Sequence, residues 1–174
     1  MSPKNEFTRY KFVEINKMKT NKIGIEKKIA TDLIGKLNLL LSNTQIFYMN
    51  TRGLHWNIKG DKFFELHIKF VELYTDLNLK VDEIAERILT LEGTPIHSFS
   101  SYIKIATIKE LTNVDSATKS IEAIITSLST LIKLEREILS IANKANDEGT
   151  SSLMSDYIRQ QEKTIWMYSA FGNK

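Results

Sequence analysis

Between Phe63 and Ile88 the positions Phe63, His67, Phe70, Tyr74, Leu77, Val81, Ile84 and Ile88 fall in alternating steps of four and three residues. Side chains repeating on that interval return to one face of an α-helix and to no consistent face of a strand, so the stretch predicts a long helix with one apolar stripe. Asp61 is placed to cap its start, and Glu92-Gly93 to end it. A helix with such a stripe needs packed partners, and the rest of the chain reads as a supplier of them.

Only seven glycines and two prolines occur among 174 residues, and Pro3 and Pro95 both lie outside the periodic stretches, which leaves long segments free to be helical. One helix is predicted to precede the stripe, carrying Ile25, Ile29, Leu33, Leu37, Leu40, Phe47 and Tyr48 and ending near Gly53. Two more should follow it. The first starts at Asp115 and carries Ile121, Ile125, Leu128, Ile132, Leu139 and Ala142 as far as Asn146. The second starts after Gly149 with Thr150 or Ser151 as cap, and carries Leu153, Tyr157, Ile158, Ile165, Trp166 and Tyr168. The link from Gly93 to Val114 is long for a bundle, and its middle, SFSSYIKIA, is expected to form a short helix. An all-α fold follows: a ferritin-like four-helix bundle over residues 23–174, whose long middle connection carries the extra helix.

Cysteine is absent, so disulfides, thiolate metal sites and cysteine nucleophiles are excluded and metal ligands must be histidine or carboxylate. Neither a secretory leader nor an apolar run of membrane-spanning length is apparent, and the expectation is a cytoplasmic protein without membrane contact. Residues 1–28 carry eight Lys/Arg against three Glu, a net +5, which leaves −2 for the remainder of a chain whose total is +3. Lys4, Arg9, Lys11, Lys17, Lys19 and Lys22 make residues 1–22 a basic N-terminal arm, either a polyanion-binding segment or a solvated tail. Phe7, Tyr10, Phe12, Val13 and Ile15 make part of it apolar enough to pack on a neighbour.

Two of the three histidines, His55 and His67, flank the Gly60-Asp61 break in LHWNIKGDKFFELH. Taken singly, His67 reads as a hydrogen-bonded core residue and His55 as a partner of a helix C-terminus. Asp82 and Glu86 stand four apart on the striped helix and share a face, as a metal-bridging pair or as a solvated acidic pair. His67 and Asp82 are separated by roughly 22 Å of helix at about 1.5 Å per residue, so they cannot hold one ion within one chain. No histidine follows a glutamate at the three-residue spacing of an intrachain di-iron bundle. Two copies packed antiparallel through this helix about a two-fold axis would bring the histidine end of one to the carboxylate end of the other.

LHWNIKGDKFFELH followed by VDEIAERI closely resembles the Dps-type miniferritins, the DNA-protection-during-starvation proteins, over about residues 23–171. That resemblance implies a homododecameric shell whose dimer-interface ferroxidase centres take His55 and His67 from one chain with Asp82 and Glu86 from its neighbour, Glu86 bridging. It implies iron as the metal, oxidised from Fe(II) preferentially by hydrogen peroxide and stored as ferric mineral. Trp56 matches a tryptophan that takes up oxidising equivalents, and Asp147 and Glu148 match acids lining pores through which iron passes. One departure stands out: where the family has an Asp or Glu four residues after the second histidine, this chain has Val71, and the adjacent Glu72 is turned by about 100° on the helix. A weakened second-iron position is expected. DNA binding in the family depends on basic terminal arms, which here means residues 1–22. The alternative function is a DNA-compacting nucleoid protein whose metal site is weakened or structural.

Overall fold

The computed structural model describes residues 19–172; the arm positions Lys4, Arg9, Lys11 and Lys17 lie outside the described residues. Five helices follow in order: α1 (Lys27–Asn57), α2 (Phe63–Thr90), α3 (Phe99–Ile105), α4 (Ala117–Lys144) and α5 (Glu148–Gly172). α1 packs along α2 and α4 along α5, contacts between α1 and α4 join the two pairs, and the short α3 lies on α1. The four long helices enclose one core, with Leu33, Leu37 and Leu40 of α1 meeting Phe70, Leu77 and Ile84 of α2, Ile124 and Ile138 of α4, and Met154 of α5. Each such side chain contributes about 1.5–3 kcal/mol by leaving water. No described helix is long and apolar enough to cross a membrane.

The long connection is ordered by three asparagines on α1. Asn38 Oδ1 accepts the Ile96 N–H at 2.8 Å and its amide donates to Thr94 O at 3.2 Å. Asn43 Oδ1 accepts the N–H groups of Thr107 and Ile108 at 3.0 and 2.8 Å, and Asn50 exchanges two bonds with Lys109 and Leu111. The loop backbone is thus satisfied by helix side chains, which lets an irregular segment lie against the bundle.

Several details differ from the sequence expectation. The buried stripe of α2 is Leu66, Phe70, Leu73, Leu77, Lys80, Ile84 and Ile88, so His67, Tyr74 and Val81 sit on its half-buried flank. The period is as read, but its phase is displaced. Trp166 is 66% exposed, whereas Tyr157 and Tyr168 of the expected face are buried in α5 together with Thr150, Ser151, Met154 and Gln161. Asp61 makes no cap: α2 starts after Lys62 with no side-chain capping bond. α5 starts at Glu148, and the bonds expected of Thr150 or Ser151 come from Asp147, whose Oδ1 accepts the Thr150 N–H at 3.0 Å.

Polar groups also enter the core. The Lys80 ammonium, 4% exposed, donates to both Asp76 carboxylate oxygens at 2.7 Å and lies 5.0 Å from the Tyr157 ring centre. Glu135, 1% exposed, accepts from Gln161 Nε2 at 2.6 Å, while its second oxygen has no partner. Burial pushes the Glu135 carboxyl up to about 7, against the opposing effects of the Gln161 hydrogen bond and the Lys80 and Arg136 charges. A carboxyl raised in the folded state keeps a proton that the unfolded chain releases above about pH 4.3, so folding stability falls as pH rises toward 7. Glu135→Gln is therefore expected to stabilise the fold at pH 8 by up to about 3 kcal/mol, with the gain fading by about pH 4. Urea unfolding at the two pH values checks it; an equal gain at both would mean that Glu135 does not titrate on folding.

Candidate metal centre

The break between α1 and α2 is short and tightly held. The Ile58 N–H closes the last turn of α1 on Leu54 O, and Gly60 adopts a φ of 96°, a left-handed conformation open to glycine at little cost. The Lys59 N–H donates to Asp115 O at 3.0 Å, tying the turn to the residues just before α4. These constraints set the last turn of α1 beside the first turns of α2.

At that junction the two histidines meet. His55 Nδ1 lies 2.9 Å from the His67 carbonyl oxygen, His67 Nδ1 lies 2.9 Å from the His55 carbonyl oxygen, and the rings stack with centres 3.8 Å apart. A carbonyl only accepts, so both Nδ1 atoms carry hydrogen and donate; in the neutral rings this leaves both Nε2 lone pairs available. Metal-binding histidines are commonly oriented in this way, by a hydrogen bond from the nitrogen that does not bind metal. Phe63 stacks on His67 with ring centres 4.9 Å apart, and Tyr74 meets His55 in a T-shaped contact at 5.5 Å, so each histidine of the pair has a second aromatic neighbour.

The carboxylates lie elsewhere. Asp82 and Glu86 are exposed on the outward face of α2, toward its far end. Among the described residues no group of three or more histidine and acidic side chains is close enough to hold a metal ion. Phe64, Ile68, Leu79 and Leu89 are exposed on the same outward face as Asp82 and Glu86. α2 therefore has two apolar stripes, one buried in the bundle and one facing out between a histidine end and an acidic end.

A ferritin-like domain family matches residues 34–174. The chain is 39% identical to the DNA protection during starvation protein of Porphyromonas gingivalis over 151 residues, 87% of this chain and 95% of that one. The chain belongs to the Dps-type miniferritins. It is also 52% identical to an uncharacterised protein of Haemophilus influenzae over 153 residues, 88% of this chain and 96% of that one. Among solved structures, a Dps protein of Vibrio cholerae, described as a member of the ferritin-like diiron-carboxylate superfamily, superposes with a TM-score of 0.88 at 54% identity, covering 91% of this chain and 99% of that one. The Dps protein of Bacillus brevis superposes at 0.81 with 32% identity, over 84% of this chain and 98% of that one.

For this Dps-family chain the remaining sequence candidates divide. Val71 is half-buried one turn beyond His67, and Glu72 is exposed and ion-paired to Lys69 at 2.7 Å, so no carboxylate of this helix takes the place of Val71. Trp56 is 56% exposed, with the Arg52 guanidinium 4.8 Å from its ring centre. Lys19 is exposed, whereas Lys22 contacts Glu92 through both its backbone N–H at 3.1 Å and its ammonium at 3.8 Å.

Asp147, a pore-acid candidate by the resemblance, is buried. It is 3% exposed, accepts from Arg87 Nη2 at 2.5 Å and from Thr150 Oγ1 at 2.6 Å, and so is committed within the chain. Glu148 is exposed. Sequence reasoning missed Arg87 as the partner of Asp147, although Gly149 carries a signal: a Cβ there would meet Arg87 Nη1 at 2.9 Å.

Proposed function

We propose that this protein is a ferroxidase miniferritin in which iron is the substrate and the site is completed by two chains. The observation that carries the reading is the reciprocal His55–His67 hydrogen-bonded pair, which aims two unused Nε2 atoms from one junction. Antiparallel packing of α2 on α2 would cover the exposed Phe64, Ile68, Leu79 and Leu89 and bring Asp82 and Glu86 of the partner subunit to the histidines, with Glu86 bridging. Imidazole and carboxylate suit Fe(II) and leave coordination positions open to an oxidant. Hydrogen peroxide takes two electrons, and each Fe(II) gives one. Val71 supplies no ligand to the second iron, so that position is held weakly.

In this reading the ferric product is stored inside a closed homododecameric shell in the cytoplasm, which lowers both Fe(II) and peroxide and so protects DNA. Glu148 is the remaining acid of the pore pair available to passing iron, since Asp147 is buried against Arg87. Contact with DNA would fall to the basic residues of the arm that precede Lys22, by counterion release.

Asp82→Ala combined with Glu86→Ala tests the site. Fe(II) loaded without air and then given stoichiometric peroxide should oxidise at least about a hundredfold more slowly in the variant, a loss of nearly 3 kcal/mol in transition-state stabilisation, while gel filtration shows the wild-type assembly. Unchanged ferric absorbance kinetics would remove these carboxylates from the site.

A further inference from the structure

Trp56 follows His55 in the chain, yet the ring that meets His55 besides that of His67 belongs to Tyr74. The two ring centres lie 5.5 Å apart in a T-shaped arrangement at 72°, and Tyr48 continues the series with a ring centre 6.2 Å from that of Tyr74 at 77°. The series then reaches a cation. The Arg52 guanidinium lies 5.5 Å from the Tyr48 ring centre and 4.8 Å from that of Trp56, and its Nη1 donates to the Tyr48 hydroxyl at 3.4 Å.

A guanidinium over an aromatic face is attracted to its electron density, and removing an electron from that ring sets two positive charges side by side. Arg52 therefore makes Tyr48 and Trp56 harder to oxidise. Among the described residues no cation lies over Tyr74, and its hydroxyl makes no hydrogen bond.

We propose that Tyr74 is the reserve electron donor of the His55–His67 site, supplying the second electron to peroxide when only one Fe(II) is bound. The inference rests on the ferroxidase reading above and on the missing carboxylate at Val71, which makes the singly loaded site common. In the step, one Fe(II), one hydrogen peroxide, the Tyr74 phenol and one proton from solvent give one Fe(III), a neutral tyrosyl radical and two waters. The O–O bond breaks, iron and the phenol each lose one electron, and the phenolic proton ends in water. Hydroxyl radical is not released. Trp56 is then a secondary sink at most, because Arg52 opposes charge on it.

The test uses the assembled protein, loaded without air with one Fe(II) per chain, mixed with one peroxide per iron and frozen within seconds for electron paramagnetic resonance. Ferric absorbance is read on matched samples. The expected result is a tyrosyl signal that narrows when the protein carries ring-deuterated tyrosine, persists in Trp56→Phe and is lost in Tyr74→Phe, which keeps the ring and its packing. Val71→Glu loaded with two Fe(II) per chain should give less radical than wild type at the same loading, since iron then supplies both electrons. A signal unchanged in Tyr74→Phe, or one lost in Trp56→Phe, overturns the assignment. Iron oxidised at the normal rate with no protein-derived signal also overturns it and leaves the ferroxidase reading standing. Absence of any iron oxidation overturns that reading and this inference together.

Discussion

Chains carrying His55→Ala with His67→Ala, mixed before assembly with chains carrying Asp82→Ala and Glu86→Ala, are expected to regain iron oxidation that neither variant has alone. In a mixed two-fold dimer one site combines both defects, while the other combines intact histidines with intact carboxylates. Equal mixing makes half of the dimers mixed and half of their sites intact, so about one quarter of the wild-type sites should return. An intrachain site predicts no recovery at all, because each chain would remain defective. The His55–His67 pair also fastens the junction of α1 and α2, so the histidine variant loses two side-chain hydrogen bonds at about 0.5–1.5 kcal/mol each. Circular dichroism and gel filtration of each variant separate that loss from the chemistry. Zero recovery in dimers verified as mixed would place the partner carboxylates elsewhere.

The period of α2 is legible in the sequence because steps of four and three are hard to produce by chance over so long a stretch. Its phase is less so, for a physical reason: Phe64, Ile68, Leu79 and Leu89 face outward while Leu66, Phe70, Leu73 and Leu77 face the core. Periodicity finds a helix, but it cannot rank two apolar faces of one helix when only one of them meets the bundle. The histidines are legible as a pair flanking one helix break, and the distance from His67 to Asp82 along α2 excludes an ion shared by those two within one chain. The mutual orientation of the histidines is not legible, because it depends on backbone carbonyls that no residue type encodes. Likewise Asn38, Asn43 and Asn50 look like ordinary polar residues of α1, and only the path of the connection shows that they hold it. The burial of Glu135 and Lys80 is not legible either, because charged types are expected outside: Glu135 is held by Gln161 across from α5, and Lys80 by Asp76 one turn earlier on its own helix together with Gln160 of α5.

Removing Arg87 is expected to destabilise this fold strongly. Its guanidinium meets Asp147, which is 3% exposed, and its Nε donates to Thr150 Oγ1 at 2.8 Å, joining the end of α2 to the start of α5. Arg87→Ala leaves that carboxylate buried without its cation, a change that costs about 3–5 kcal/mol. Asp147→Ala should cost about as much, because it removes both the ion pair and the cap of α5, the cap alone being worth about 1 kcal/mol. The double variant should cost less than the sum, since each single change strands the other partner. Burial pushes the Asp147 carboxyl up, but the hydrogen bonds from the Thr150 side chain, the Thr150 backbone and Arg87, together with the Arg87 charge, outweigh it and hold the group below its ordinary value. A carboxyl lowered in the folded state stabilises fully above the unfolded value near 3.9, and that contribution is lost as pH falls through the folded value. The gap between wild type and Asp147→Asn should therefore be widest at neutral pH and shrink on acidification below about pH 4. Urea unfolding at one fixed chain concentration measures it, since any self-association would make apparent stability depend on concentration. A gap that does not change with pH would mean that Asp147 stabilises α5 through its shape and cap rather than through its charge.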